Sequence, residues 1–597
     1  RYGAVAETRP DERTLGVNIR EEQIDRLLRE DPVQWIEQAP PPKRELLDDL
    51  RDAVHADTVQ APPYGLNGTG AVFGQWENGS PATTHDDLQG RVTLVDPMST
   101  SDHATAVAGI MIGDGSRSAA CGGTPYQWRG ISTAAEIASY DWPMSTLDLR
   151  LSTADAIASY GIMASSNSWG WFVCGSLCSY YGEYDDHSKQ YDRIVRGSQG
   201  APISVVFGSG NEGDCFECED SLPHFPYGTV SGPGATAKNT IAVGAVHVPD
   251  LTTTDFSGRG PVDDGRVKPD IVAPGCKGAV GVYVPHPPNE YSDGGCGTSY
   301  STPAVTGALG ILKQQFDQLG YSAVAPHTYK ALLLATAQDL GNPGPDYVFG
   351  HGHLDIQAAV DRVTANHPGN HLIRVDSVTN GETDSYSMTI GPGAGPIRIT
   401  LVWDDIKGTP GAAKQLVNDL DLLAQTPGAL WHLPYVLDPD DPSSPATTGV
   451  NDIDNVEVIE VAAPEEGTWT VEVTGALVPD GSQAYTLVLP TETVCTGVQQ
   501  NGQRIPRLLP PEIAPNPFNP EVLIRCTLSE AGPARLCVYD TRGRRIAVVS
   551  DGFRPAGTLE AVWRGEDEQG GAVPSGVYFA RIEAAGRNAT SRLVLIR

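Results

Sequence analysis

Four residues carry the chemistry that this sequence could perform. Ser299 lies in Gly297-Thr298-Ser299-Tyr300-Ser301-Thr302-Pro303, ahead of an apolar run with helical spacing that reaches Phe316. A serine at a helix entry meets free backbone N–H groups and the positive end of the helix dipole, a favourable place to form a negatively charged oxygen. Pro303 is expected in the first turn, where a missing N–H costs nothing. Serine is also a favoured helix cap, so Ser299 alone signifies little. His103, in Ser101-Asp102-His103-Ala104-Thr105-Ala106, can supply a base. Glu77, closing Ala71-Val72-Phe73-Gly74-Gln75-Trp76-Glu77, can supply the acid that orients it. Asn211, in Gly208-Ser209-Gly210-Asn211, can turn an amide N–H into a cleft. Together these side chains suit acyl transfer: a nucleophile, a proton carrier, its orienting carboxylate and a donor for the oxyanion. Each also has a plainer reading, as a surface or capping histidine or a turn asparagine. Asp86, Asp87 and Asp96 rival Glu77, but they lie in polar loop sequence, where a solvated carboxylate is the simpler expectation.

The four must be positioned by a scaffold. From Gly65 to about Val363, strand patterns (Ala71–Trp76, Glu136–Tyr140, Gly161–Ser166, Ile203–Gly208, Thr240–Val246) alternate with helix patterns (His103–Ile112, Thr146–Tyr160, Ser188–Gln199). Strands separated by helices imply a doubly wound parallel sheet covered on both faces. Glu77 then closes a strand at the carboxyl edge, where such sheets build their sites. Ser168, Trp169 and Gly170 follow a neighbouring strand and can take an extended peptide as an added strand. After Asn366 the helices stop, and strands such as Ile397–Trp403 and Gly467–Val473 are divided by Gly, Pro and Asp turns, as in a β-sandwich or jelly roll. The expected fold is therefore multidomain: an N-terminal extension at 1–44, an α/β unit at 45–366, a β-sandwich at 367–494, a linker at 495–511 and a small immunoglobulin-like β-sandwich at 512–597.

Length and composition agree with this. A chain of 597 residues exceeds one core. Its net charge of −33 is spread along the sequence, which argues against nucleic acid or an anionic membrane as partner. No apolar run approaches the ~20 residues of a membrane helix. The chain opens on Arg1 and not on methionine, read here as a leader removed or left out. Among its ten cysteines, Cys174 and Cys178, Cys215 and Cys218, and Cys276 and Cys296 lie close in sequence. Disulfides are expected for an exported protein; a four-thiolate zinc site from Cys174, Cys178, Cys215 and Cys218 is the alternative. Cys526 and Cys537 fall on adjacent expected strands, where they pair or stay buried.

The order acid, histidine, asparagine, serine, with these flanks, resembles the subtilisin-like serine peptidases, the subtilase family. His103-Ala-Thr-Ala-Val-Ala-Gly109 is similar to that family's His-Gly-Thr-His-Val-Ala-Gly, and Gly297-Thr-Ser-Tyr-Ser-Thr-Pro303 to its Gly-Thr-Ser-Met-Ala-Thr-Pro. Phe256-Ser-Gly-Arg-Gly-Pro261 and Val267-Lys-Pro-Asp-Ile-Val-Ala-Pro-Gly275 match two further stretches. The resemblance covers roughly residues 64–363 and is nearest to large bacterial subtilases with a β-barrel after the catalytic domain. It departs from the family at Glu77, where Asp is usual, and at Ala106, in place of a histidine outside the triad. The N-terminal 44 residues resemble the end of a subtilase propeptide, with processing expected near Gln38–Arg44. Ala514-Pro-Asn-Pro-Phe-Asn-Pro520 and Pro574-Ser-Gly-Val-Tyr-Phe579 resemble a FlgD-like immunoglobulin-type module, often used for sorting or surface attachment.

The resemblance implies a secreted or cell-surface bacterial serine endopeptidase needing no cofactor for catalysis. Ser299 is its nucleophile, His103 its base, Glu77 its orienting acid and Asn211 its oxyanion donor. Ser168–Gly170 would hold the substrate backbone, and Gly208, Ser209 and Gly210 would wall a roomy primary pocket. The implied partners are protein or peptide substrates, the chain's own propeptide and, through 512–597, a surface or secretion machinery. The alternative is an inactive scaffold acting as a surface binding protein. Structural calcium is expected at two oxygen-rich clusters, Asn418, Asp419 and Asp421, and Asp452, Asp454 and Glu457.

Overall fold

The computed structural model describes residues 5–9, 14–17, 46–175, 177–277, 283–367, 369–490, 511–528, 532–540, 544–554, 557–567, 569–584 and 587–597. The expected processing region at Gln38–Arg44 and residues 495–510 of the linker lie outside them.

Two short strands, β1 (Val5–Arg9) and β2 (Thr14–Val17), pair antiparallel. Helices α1 (Leu46–Ala53) and α2 (Ala56–Gln60) precede the main sheet. That sheet has seven strands: β3 (Val72–Glu77), β4 (Val92–Leu94), β5 (Glu136–Asp141), β6 (Ala164–Asn167), β7 (Ser204–Gly208), β8 (Ile241–His247) and β9 (Ile271–Cys276). All pair parallel, in the order β4-β5-β3-β6-β7-β8-β9. The five expected strands are present with ends shifted by up to three residues. β4 and β9 were not expected: β4 is three residues long and half exposed, too short to carry a pattern.

The order turns back at β3. From there β5 and β4 lie to one side and β6 through β9 to the other, so the crevice of the sheet opens at the carboxyl ends of β3 and β6. The connecting helices are α3 (Asp102–Ile112), α4 (Thr146–Asp155) and α5 (Asp186–Val195). α4 is shorter than expected because Ala156–Tyr160 widens into a π turn ended by Gly161 at φ 65°. A hairpin, β10 (Tyr283–His286) and β11 (Glu290–Asp293), then leads to α6 (Thr298–Gln318), α7 (Pro326–Thr336) and α8 (Ile356–Asn366). α6 is buried nearly throughout, as a helix apolar around its whole circumference must be.

Beyond residue 366 the structure is antiparallel β. Strands Ile373–Thr379, Ser482–Val488, Ile397–Val402 and Val456–Val461 form one four-stranded sheet. Thr383–Ile390, Gly467–Leu477, Asp419–Gln425 and Trp431–His432 form another. Leu401 and Tyr485 from the first sheet meet Leu420, Leu422 and Trp469 from the second in one apolar core. The C-terminal residues form a three-stranded and a four-stranded antiparallel sheet around Phe518, Trp563 and Tyr578. No described helix is long and apolar enough to cross a membrane.

Three disulfides are present among the described residues: Cys174–Cys215, Cys178–Cys218 and Cys276–Cys296. The first two cross-link two segments; neither joins sequence neighbours, and the thiolates of a zinc site are thereby consumed. Cys526 and Cys537 are buried and unlinked, and Cys121 is half-buried, its thiol facing Glu290.

Candidate active site

Glu77 is the last residue of β3 and is 1% exposed. Its backbone C=O receives the Trp142 N–H, which anchors the strand end to the chain after β5. The next turn is tight. Gly79 has φ 99°, and a Cβ there would lie 2.8 Å from the Ser101 Cβ and 2.9 Å from the Ser99 oxygen. Only glycine lets this loop close against residues 99–101, where Ser80 N–H meets Ser99 O and Ser101 N–H meets Ser80 O. Ser101 in turn caps α3, accepting the Ala104 N–H. His103, the second residue of that helix, is therefore fixed beside the end of β3 by a backbone zipper that ends two residues before it.

Glu77 Oε2 lies 2.9 Å from His103 Nδ1. The longer glutamate therefore reaches the imidazole without breaking the strand-to-helix junction. Burial alone would lower the histidine pKa, but the charge of Glu77 and its hydrogen bond outweigh that and raise it above the ordinary value of 6.5. Glu77 Oε1 is buried with no hydrogen-bond partner among the described residues. The rival acids do other work. Asp87 is buried, contrary to expectation, where it accepts Tyr291 O–H and Arg117 N–H. Asp86 and Asp96 are exposed.

Ser299 is the second residue of α6, and its hydroxyl donates to Ser168 O at 3.2 Å. Pro303 is not in the first turn: α6 begins at Thr298, so the proline falls in the second, where its missing N–H leaves the carbonyl four residues back without a helical partner. That carbonyl belongs to Ser299, and Ser168 Oγ donates to it at 3.1 Å. The proline thus frees an acceptor at the peptide of Ser299 itself, and the strand-end serine takes it. This reciprocal pair ties Ser168–Gly170 to the start of α6.

Asn211 is exposed, with Oδ1 accepting Thr298 N–H at 2.8 Å and Thr298 Oγ1–H at 3.0 Å. Two donors on Oδ1 assign the amide orientation and leave Nδ2 as the end presented to the cleft. Thr298 was not singled out from the sequence, although it stands directly beside Ser299. Tyr300 was also missed; its ring centroid lies 6.2 Å from that of His103.

The expected walls of a primary pocket are adjacent. Trp171 N–H bonds Ser231 O, and Ser231 N–H bonds Ser209 O, so Val230–Gly232 bridges Ser168–Gly170 and Gly208–Gly210. The glycines do not leave open room. A Cβ on Gly208 would sit 2.9 Å from Thr298 Oγ1, and one on Gly210 2.0 Å from Ser231 Oγ. These two positions are held small by Thr298 and Ser231 packed against them. Ser209 is fully buried.

The six residues expected to bind calcium do not share a ligand shell. Asp452 pairs with Lys414, Asp454 accepts Val267 N–H, Glu457 accepts Leu422 N–H, and Asn418 Nδ2 donates to Gln483. Asp419 and Asp421 lie on a strand of the β-sandwich. Among the described residues no group of three or more His, Cys, Asp or Glu side chains is gathered to hold a metal ion, so the structure gives the calcium expectation no support.

The sequence model of the subtilase family matches residues 82–352, a span that holds His103, Asn211 and Ser299 but not Glu77. The chain thus carries a subtilase-family domain. Serine protease AprX of Bacillus subtilis is 27% identical over 356 residues, covering 53% of this chain and 72% of that protein. Bacillopeptidase F of the same organism is 30% identical over 178 residues, covering 29% of this chain and 11% of the relative. Serotype-specific antigen 1 of Mannheimia haemolytica is 32% identical over 134 residues, covering 22% and 12%. The chain therefore spans only about an eighth of the length of the latter two relatives. Among solved structures, the self-cleaved protease domain of PatA aligns with TM-score 0.38 at 20% identity, over 50% of this chain and 98% of that one. The Clostridium perfringens CspB protease aligns with TM-score 0.41 at 15% identity, over 53% and 99%.

Proposed function

We propose that this chain is a secreted serine endopeptidase that cleaves peptide bonds through an acyl-enzyme. The observation that carries this reading is the contact of Glu77 Oε2 with His103 Nδ1, 2.9 Å, at the carboxyl end of β3. The substrate backbone lies along Ser168–Gly170. Ser299 Oγ turns from Ser168 O toward His103, gives its proton to Nε2 and attacks the scissile carbonyl. Glu77 accepts the Nδ1–H, which keeps Nε2 free as the base and stabilises the imidazolium that forms. The new oxyanion meets Asn211 Nδ2 and the Ser299 N–H. His103 then protonates the leaving amine, and water repeats the cycle to release the acid. Every group these steps require is a side chain or backbone N–H of this chain.

Residues 1–44 act in this reading as a propeptide that blocks the cleft until removed. The C-terminal β unit acts as a FlgD-like immunoglobulin-type module for surface attachment or sorting in a bacterium, and the preceding unit as a jelly roll. One observation favours the second reading, an inactive scaffold that binds peptide: half of the Glu77 carboxylate has no partner, so the acid is less firmly fixed than a fully bonded one. Hydrolysis of a denatured, fluorescence-quenched casein separates the two. The chain freed of residues 1–44 releases fragments and its Ser299→Ala variant does not. Equal release by both, or none by either, contradicts the peptidase reading.

A further inference from the structure

Two segments leave the cleft side by side. Gly170 runs into Trp171-Phe172-Val173, and Asn211 into Glu212-Gly213-Asp214-Cys215-Phe216. Cys174–Cys215 and Cys178–Cys218 join them, and Glu212 Oε2 holds both Val173 N–H at 3.1 Å and Tyr181 O–H at 3.3 Å. Beneath lies a small core of its own, Val173, Tyr181 and the cystines, separate from the main one. The outer face of this lobe is unusual for a surface. Phe172 is 78% exposed and Phe216 73%, with Leu177, Tyr180 and Trp171 also exposed. Single exposed apolar residues need no explanation, but several gathered on one cross-linked lobe mark a binding surface.

The lobe is also anionic. Asp214, Glu217, Glu219 and Asp220 are exposed, and no lysine or arginine occurs between Arg196 and Lys238. None of these side chains serves the catalytic steps. The two disulfides explain how exposed aromatics stay outward: with the backbone cross-linked, the lobe cannot collapse to bury them, and the surface is organised before a partner arrives.

Resting on the peptidase reading above, we propose that this lobe is a second recognition surface for the polypeptide being cut, selecting segments that combine aromatic or aliphatic side chains with lysine or arginine. Its two segments begin at Gly170 and Asn211, residues of the proposed cleft, which puts the lobe at the edge of a chain lying along Ser168–Gly170. Burying a large aromatic ring removes ~150–250 Å² from water. Cationic side chains then meet both the ring faces and the surrounding carboxylates.

The test uses quenched peptides that share one cleavable core and carry, on either end, a Lys-Phe-Lys-Phe, Glu-Phe-Glu-Phe or Gly-Ser-Gly-Ser tail. The basic aromatic tail raises kcat/KM about tenfold over the Gly-Ser tail at low ionic strength. Part of that gain disappears at 0.5 M salt, where screening is about twice as short-ranged as at 0.1 M. F172S/F216S removes the gain while leaving the bare core unchanged, and E217Q/E219Q/D220N removes its salt-sensitive part. Titration of free thiols in each variant checks that both cystines formed. No tail preference in the wild type, or a preference that survives F172S/F216S, overturns the proposal. Fluorescence anisotropy of the same peptides on the Ser299→Ala protein separates the two readings. Tail-selective binding without hydrolysis by the wild type retains the lobe and rejects the peptidase. Hydrolysis of the core without tail selection does the reverse.

Discussion

At the scale of single residues, the position that most affects the proposed chemistry is Glu77. Its buried carboxylate holds His103 Nδ1 and raises the histidine's pKa. The base acts only when neutral, so a raised pKa moves the acid limb of the kcat/KM profile above pH 6.5, with activity lost as pH falls through it. Glu77→Gln keeps the shape but loses the charge. It should lower kcat by about 10⁴-fold and shift the remaining acid limb to lower pH, as measured by a pH–rate profile. An unchanged profile would mean that another group orients His103. Asn211→Leu keeps the size of the side chain and removes the Nδ2 donor; kcat should fall by about 10²–10³-fold with KM little altered, by steady-state kinetics on a peptide anilide. A KM effect alone would assign Asn211 to substrate binding.

At the scale of elements, the site depends on the junction between the end of β3 and the start of α3. Gly79→Ala puts a methyl group 2.8 Å from the Ser101 Cβ at φ 99°, strained on both counts. The variant should lose at least ~1 kcal/mol in urea unfolding and, by shifting the acid from the histidine, ~10²-fold in kcat. Native stability and full kcat together would show that the zipper does not position Glu77. Elements are also where the sequence was most and least readable. Most of the five strands were legible because buried parallel strands are apolar on both faces, although β6 (Ala164–Asn167) is buried and polar. β4 was too short for any pattern, and α4 ended early because Ala156–Tyr160 widens into a π turn, which apolar spacing does not distinguish from α. Pro303 was assigned to the wrong turn because the start of α6 is set by Thr298 docking on Asn211, a contact between residues far apart in sequence. The same kind of contact, Thr298 against Gly208 and Ser231 against Gly210, holds those two positions small. The proposed catalytic side chains were named from residue type and order, and the expected calcium clusters find no support among the described residues, where no group of three or more His, Cys, Asp or Glu is gathered to hold a metal ion.

At the scale of the whole molecule, the parallel-sheet region and the antiparallel sheets beyond residue 366 are joined by buried charge. Lys238 Nζ lies 2.5 Å from Asp405 Oδ2, both side chains fully buried, and also donates to the carbonyls of Ile406 and Gln415. Arg398 of the β-sandwich donates to the Leu334 and Ala337 carbonyls at the C-terminus of α7, satisfying acceptors that a helix end leaves unpaired. His327 and Thr328 on α7 meet Thr486. Removing one partner of a buried ion pair leaves the other charge stranded, so Asp405→Ala should destabilise by ~3–5 kcal/mol in chemical unfolding. The double variant Lys238→Met/Asp405→Leu, which removes both charges, should cost less. Equal losses in the two would show that volume and not charge governs the interface. A chain ended at residue 366 exposes Arg196, Lys238 and α7 and should not fold to an active form. The central claim, that Ser299 is a nucleophile activated by His103, is tested most directly by a fluorophosphonate probe and mass spectrometric mapping of the adduct. The account predicts one phosphonylated residue, Ser299, with labelling abolished in His103→Ala; an unlabelled Ser299 in protein freed of residues 1–44, or labelling that persists without His103, would contradict it.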